Sequence, residues 1–115
     1  MTTLYGIPNC DTVKKSRTWM AQHDGAYRFH DLRKDGLDAA MVARWHAAVG
    51  DSLVNRKGTT WRGLDAQAQA STADGAGVRA LVLAHPALIK RPVVEWPDGS
   101  TTVGFDAALW ANRIR

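Results

Sequence analysis

Thr3-Leu4-Tyr5-Gly6-Ile7-Pro8-Asn9-Cys10-Asp11-Thr12-Val13-Lys14-Lys15-Ser16-Arg17, followed through to Asp31, is the stretch on which the fold turns. Thr3 to Ile7 reads as a short, mostly buried strand closed by Pro8-Asn9. From Cys10 to His23 the period becomes helical. Val13, Arg17 and Met20 share one face; Thr12, Trp19 and His23 share the adjoining one. Asp24-Gly25 is expected to stop this helix. Tyr27 to Asp31 alternates with period two and predicts a second strand. Strand, helix and strand within the first 31 residues form a βαβ unit, so the two strands are expected to run parallel.

Beyond this unit, Lys34-Asp35-Gly36 predicts a turn. Leu37, Met41, Trp45 and Ala48 recur at helical spacing, with Asp38 as the cap and Gly50 as the stop. Leu53 to Gly58 predicts a short turn of helix, and the Ala/Gln content of Thr59 to Ala73 favours helix. Val78, Leu81, Val82 and His85 form another helical stripe that ends at Pro86. The last third changes period. Val93 to Trp96 predicts a strand, Asp98-Gly99 a hairpin turn, and Thr101 to Phe105 its antiparallel partner; Ala107 to Ile114 closes the chain as a helix. The order is βαβ, a helical stretch over about 37–86, then ββα. That order predicts a single α/β domain over 1–115: a thioredoxin-like mixed sheet with helices on both faces and an inserted helical subdomain.

Composition narrows the class. A chain of 115 residues is one domain's worth, and 45% apolar with 23% charged residues is an ordinary globular balance, which excludes disordered and collagen-like classes. No apolar run approaches the roughly 20 residues that span a bilayer. The first residues lack a basic region followed by a long apolar one, so no secretory signal is expected. One cysteine forms neither an internal disulfide nor a thiolate zinc cage, and the four histidines are too dispersed for a metal pair. A lone thiol without a signal fits a reducing cytosol. The net charge of +4 is mild and interrupted by acids. It favours anionic ligands or acidic partner surfaces, but no helix clusters basic residues as a groove-reading element would. Nothing in the pattern requires more than a monomer.

The chemistry converges on few residues. Cys10 follows a strand, a Pro and Asn9, and it opens a helix. Unsatisfied backbone N–H groups and the positive helix end there favour the thiolate, the form that attacks. Lys14 lies one turn on, and Arg17 about two turns on; both add positive potential, which Asp11 opposes. In a thioredoxin-like plan the Arg91-Pro92 bond lies beside the thiol, where a cis peptide is plausible. From sequence alone, cis is the minority state at roughly 5–6% of X-Pro bonds. Arg91 could then hold an oxyanion or carboxylate with its forked donors. Arg56, in Asn55-Arg56-Lys57-Gly58, reads either as part of an anion pocket or as a plain charge complement at a helix C-terminus. Trp19, Trp45, Trp96 and Trp110 read as packing residues; Trp61, in a weakly patterned segment, reads as packing first and as a pocket-lining residue second.

Together these stretches resemble the ArsC/Spx superfamily of thioredoxin-fold proteins, and within it the YffB group of ArsC-related proteins. The resemblance rests on Leu4 to Arg17, Phe29 to Leu37, Asn55 to Arg62, His85 to Pro92 and Val103-Gly104-Phe105, in that order. It implies a glutathione-dependent thiol reductase related to arsenate reductase, with Cys10 as nucleophile and no bound cofactor. Arg56, Arg91, Lys14, Pro92 and Asn9 are then the oxyanion- or glutathione-binding candidates, with Pro92 cis. Glutathione is the implied co-substrate and glutaredoxin a possible reducing partner. Two departures stand out. Gly104 occupies the position of a third arginine used by arsenate reductases, which places strong arsenate reduction in doubt. Cys10-Asp11-Thr12-Val13 lacks the second cysteine of the Spx switch. The alternative implied by the same superfamily is an Spx-like regulator that binds RNA polymerase without catalysis.

Overall fold

Alternating residues around Leu4 place one set of side chains on each face of a central strand. In a computed structural model of the chain, which describes residues 1–23 and 25–114, this strand is β1, Thr2–Gly6. Tyr27–Asp31 forms β2, parallel to β1, with Thr2 opposite Tyr27 and Gly6 opposite Asp31. Val93–Glu95 forms β3 on the other side of β1, antiparallel, with Tyr5 opposite Val93. Thr101–Val103 forms β4, the hairpin partner of β3. The sheet order is β2-β1-β3-β4.

Helix α1, Asp11–Gln22, starts at Cys10 and is capped at His23. Asp24, predicted to stop it, lies outside the described residues. Helix α6, Ala107–Arg113, is capped by the Asp106 carboxylate, which accepts from the Leu109 N–H. Leu4 and Val94, cross-strand partners, meet Val13 and Met20 of α1, Trp96 after β3 and Trp110 of α6 in one buried cluster. Removing each such side chain from water contributes about 1.5–3 kcal/mol. Trp110 packs edge-on against Trp96, Trp19 and Phe105, with centroids 5.3, 5.8 and 4.8 Å away. Trp96 also donates its indole N–H to Thr102 Oγ1 at 2.9 Å. Gly6 ends β1 under α1 because a Cβ there would lie 2.7 Å from Val13 Cγ2. The helix therefore sits closer to this strand end than any side chain would permit.

The chain divides into two compact units, Met1–Gly36 with Arg91–Arg115, and Leu37–Lys90. The second is helical. It holds α2 (Ala39–Val49), α3 (Thr59–Arg62), α4 (Ala66–Ala70) and α5 (Gly75–Ala84), with 3-10 turns at Gly50–Leu53, Ser71–Ala73 and Pro86–Leu88. Asp38 caps α2 as expected, accepting from the Met41 N–H at 2.8 Å. Val42 and Trp45 of α2 and Val78 and Val82 of α5 are buried within this unit. The sequence-based turn of helix over Leu53 to Gly58 is not found. Leu53 ends a 3-10 turn, and Val54 pairs with Ile89 in an isolated antiparallel bridge. The backbone groups of Leu53 and Asn55 are satisfied by Lys90 and Leu88, so a distant segment replaces the local helical bonds. No helix among the described residues is long and apolar enough to cross a membrane.

Candidate active site

The C-terminal end of β1 is where the predicted nucleophile emerges. Ile7 to Cys10 make a tight turn in which the Cys10 N–H donates to the Ile7 carbonyl at 3.2 Å. Cys10 then serves as the extended N-cap residue of α1, and its side chain makes no capping hydrogen bond. The sulfur is therefore not committed to the helix. Cys10 is half-buried, resting its carbon side against the Leu4–Trp110 cluster while keeping solvent access. Asn9 and Lys14 are exposed on either side of it in the chain, and the Lys14 N–H donates to the Cys10 carbonyl at 2.9 Å. One helical turn places Lys14 on the same face of α1 as Cys10. Arg17 is committed elsewhere. Its guanidinium lies 4.1 Å above the Phe29 ring, and its Nε donates to the Tyr27 hydroxyl at 3.1 Å.

Because β3 runs antiparallel to β1, its first residue lies beside the last residues of β1. The segment entering β3 is Arg91-Pro92, and this peptide bond is cis. Pro92 is buried, and its carbonyl accepts from the Gly104 N–H at 2.9 Å, just beyond β4. The same sheet end thus gathers Cys10, Arg91-Pro92 and Gly104. Arg91 is half-buried, and its Nε is buried without an acceptor among the described residues. A buried N–H with no partner is costly, and a donor so placed is suited to an anionic acceptor. Gly104 has φ +78, a left-handed conformation suited to glycine.

Arg56 belongs to the helical unit. It follows the Val54 bridge in a turn rather than ending a helix, so its reading as a helix C-terminal complement is set aside. Its Nη1 donates to the Asp51 carbonyl at 3.3 Å, and its guanidinium carbon lies 5.2 Å from the Trp61 ring centroid. Trp61 thus supports the arginine with its ring, a role beyond packing. Arg56, Lys57 and Lys90 line a concavity of about 380 Å³ together with Asp51, Ser52 and Asn55. Sequence reasoning did not single out Asp51; only the Gly50 helix stop before it hinted at a turn there. Another concavity, of about 350 Å³, opens at the opposite end of the sheet from Cys10 and Arg91, beside Thr2, Trp96, Asp98 and Arg113. Among the described residues, no group of three or more His, Cys, Asp or Glu is placed to hold a metal ion.

The comparisons with known proteins agree with this architecture. A solved YffB protein superposes with a TM-score of 0.93 at 44% identity, covering all of both chains. An arsenate reductase (ArsC) related protein from Brucella melitensis is 46% identical, with a TM-score of 0.78, over 96% of this chain and 92% of its own. An uncharacterised protein of Haemophilus influenzae is 43% identical over 92% of each chain. The global transcriptional regulator Spx of Listeria innocua is 23% identical over 82% of this chain and 72% of its own. The sequence profile of the ArsC family matches residues 5–112. With its thioredoxin-like sheet and helical insert, the chain belongs to the ArsC family.

Proposed function

We propose that the protein is a glutathione-dependent thiol reductase related to the arsenate reductases, with Cys10 as its nucleophile. The observation that carries this reading is the shared sheet end, where an uncommitted thiol opens α1 and Arg91 brings a buried donor without a protein acceptor. Arg91, with Lys14, Asn9 and the Pro92 turn, holds the anionic part of the substrate or of glutathione, and Arg56 is the anion-binding group of the helical unit. The Cys10 sulfur attacks one sulfur of a disulfide, forming a new S–S bond while the other sulfur leaves as a thiolate. A glutathione thiolate then attacks the sulfur of the bound partner, the mixed disulfide breaks, and the Cys10 sulfur is the leaving group. With one cysteine in the chain, resolution must come from outside, by glutathione or by glutaredoxin. Gly104 supplies one cationic ligand fewer than the arsenate reductases use, so disulfide exchange is favoured over arsenate turnover. The enzyme acts as a monomer in a reducing cytosol.

Intact-mass spectrometry after incubation with oxidised glutathione tests this reading, beside an arsenate turnover assay. One glutathione should add to Cys10, be removed by reduced glutathione with glutaredoxin, and be absent from Cys10→Ser. A folded wild type that takes up no glutathione would refute it. The Spx likeness favours a second reading, a regulator that docks on RNA polymerase. Docking does not need the sulfur, so Cys10→Ser would still retain polymerase from lysate under reducing conditions.

A further inference from the structure

Within the helical unit, Arg56 is the end of a chain of polar contacts that starts on α5. Arg79 Nη1 lies 3.2 Å from His46 Nδ1. A guanidinium only donates, so Nδ1 of His46 accepts and its Nε2 carries the proton. That Nε2 lies 3.5 Å from Asp51 Oδ1 and points its N–H at the carboxylate. Asp51 Oδ2 is 4.0 Å from Arg56 Nη2, and the Asp51 carbonyl accepts from Arg56 Nη1. Asp51 therefore divides its two oxygens between a histidine and an arginine. His46 is the least exposed link toward Asp51, partly buried with its side chain 14% exposed. At Gly75 a Cβ would stand 3.1 Å from Arg79 Nη1 and 3.2 Å from His46 Cε1, so glycine keeps the passage between α2 and α5 open for this contact.

We propose that Asp51, oriented by the His46–Arg79 pair, is the positioning residue for Arg56. The proposal rests on the reading of Arg56 as an anion-binding group. Asp51 and Trp61 hold one side and one face of the guanidinium, which leaves its other N–H donors ordered for a ligand. An arginine fixed before the ligand arrives loses less side-chain freedom on binding. The competing explanation makes the opposite prediction. If Asp51 were merely an acid beside Arg56, Lys57 and Lys90, removing its charge would tighten anion binding.

The test measures the dissociation constant of arsenate from the backbone amide shifts of Asn55, residue 56 and Lys57, in the wild type, Arg56→Gln, Asp51→Asn and Asp51→Glu. The order parameter of the Arg56 Nε–H is measured by NMR on the arginine-bearing proteins, without anion. Asp51→Asn is expected to raise the dissociation constant roughly threefold to tenfold and to lower the Arg56 order parameter below about 0.6. Asp51→Glu should recover most of both, and all variants should melt close to the wild type. Unchanged or tighter binding in Asp51→Asn, with Arg56 still ordered, overturns the positioning role. If Arg56→Gln binds arsenate as tightly as wild type, the anion-binding reading of Arg56 fails. The order parameter then reports separately whether Asp51 holds the side chain.

Discussion

Gly6→Ala should destabilise the protein through a single contact, and the contact can be removed independently. A Cβ at residue 6 would lie 2.7 Å from Val13 Cγ2 and 3.3 Å from Cγ1. Carbon atoms rest at about 3.5–4.0 Å, so Val13 must retreat by roughly 1 Å. Val13 is fully buried against Leu4, Met20 and Trp110, which leaves it nowhere to go without moving α1. Overpacking of this kind costs about 1–3 kcal/mol, and the lower unfolded-chain entropy of alanine offsets about 0.4–1 kcal/mol. A net loss of about 1.5 kcal/mol follows. Unfolding entropy of about 2.1 cal/mol/K per residue converts that to a fall in Tm of about 6 °C. Val13→Ala alone removes both γ-methyls and costs about 2 kcal/mol. The double variant should be less destabilised than the sum by at least about 1 kcal/mol, because the clash has lost its second partner. Urea unfolding of the four proteins closes the cycle. The iodoacetamide rate at Cys10, three residues before Val13, should shift in Gly6→Ala and return in the double variant. Additivity within about 0.5 kcal/mol would refute the close approach of α1 to the strand.

At Gly77 the obstacle is backbone, since a Cβ would fall 1.7 Å from the Ser71 carbonyl oxygen. Gly77→Ala should cost more than about 3 kcal/mol, seen as early hydrogen exchange across Leu37–Lys90 with slower exchange in the sheet. Gly104→Ala should lower Tm by about 4 °C, from about 1 kcal/mol of strain at φ +78. Gly104→Arg bears the same strain but should tighten arsenate protection of Cys10; no gain in protection would show that residue 104 does not face the anion. Asp98 accepts hydrogen bonds from the Ser100 hydroxyl and N–H, which, with Arg113 nearby, hold its carboxyl below the usual aspartate range. A depressed folded value stabilises above the unfolded pKa of about 3.9 and is lost as pH falls through the folded one. The Tm gap between wild type and Asp98→Asn should thus be open near pH 6 and close in strong acid, and a gap independent of pH would contradict it.

The first 31 residues were legible because local rules suffice there. Period two gives Tyr27–Asp31, period 3.6 gives α1, and parallel pairing follows from the short crossover. Asp38 announced its helix for the same reason, being a cap whose partner lies three residues away. Leu53 to Gly58 misled because Val54 takes its partner from Ile89, and no window around residue 54 contains that information. The site divides along the same line. Cys10 and Arg91-Pro92 are marked by their positions at strand ends. Asp51, His46 and Arg79 are ordinary surface-type residues in sequence, and their meaning comes from contacts 5 to 33 residues apart. Trp61 favoured packing over pocket lining because its weakly patterned segment does not reveal that the chain turns Arg56 onto its ring.

The sheet's central seam joins an early segment to a late one: Thr3 faces Glu95, and everything in Leu37–Lys90 is made between them. During synthesis, β1 can find β2 as soon as Asp31 clears the ribosome, but its other edge stays open until Glu95 has followed, more than sixty residues later. The nascent protein therefore carries Leu4 on a half-clothed strand throughout the making of Leu37–Lys90. A C-terminal truncation before residue 93 would leave that edge permanently bare, a template for any passing strand.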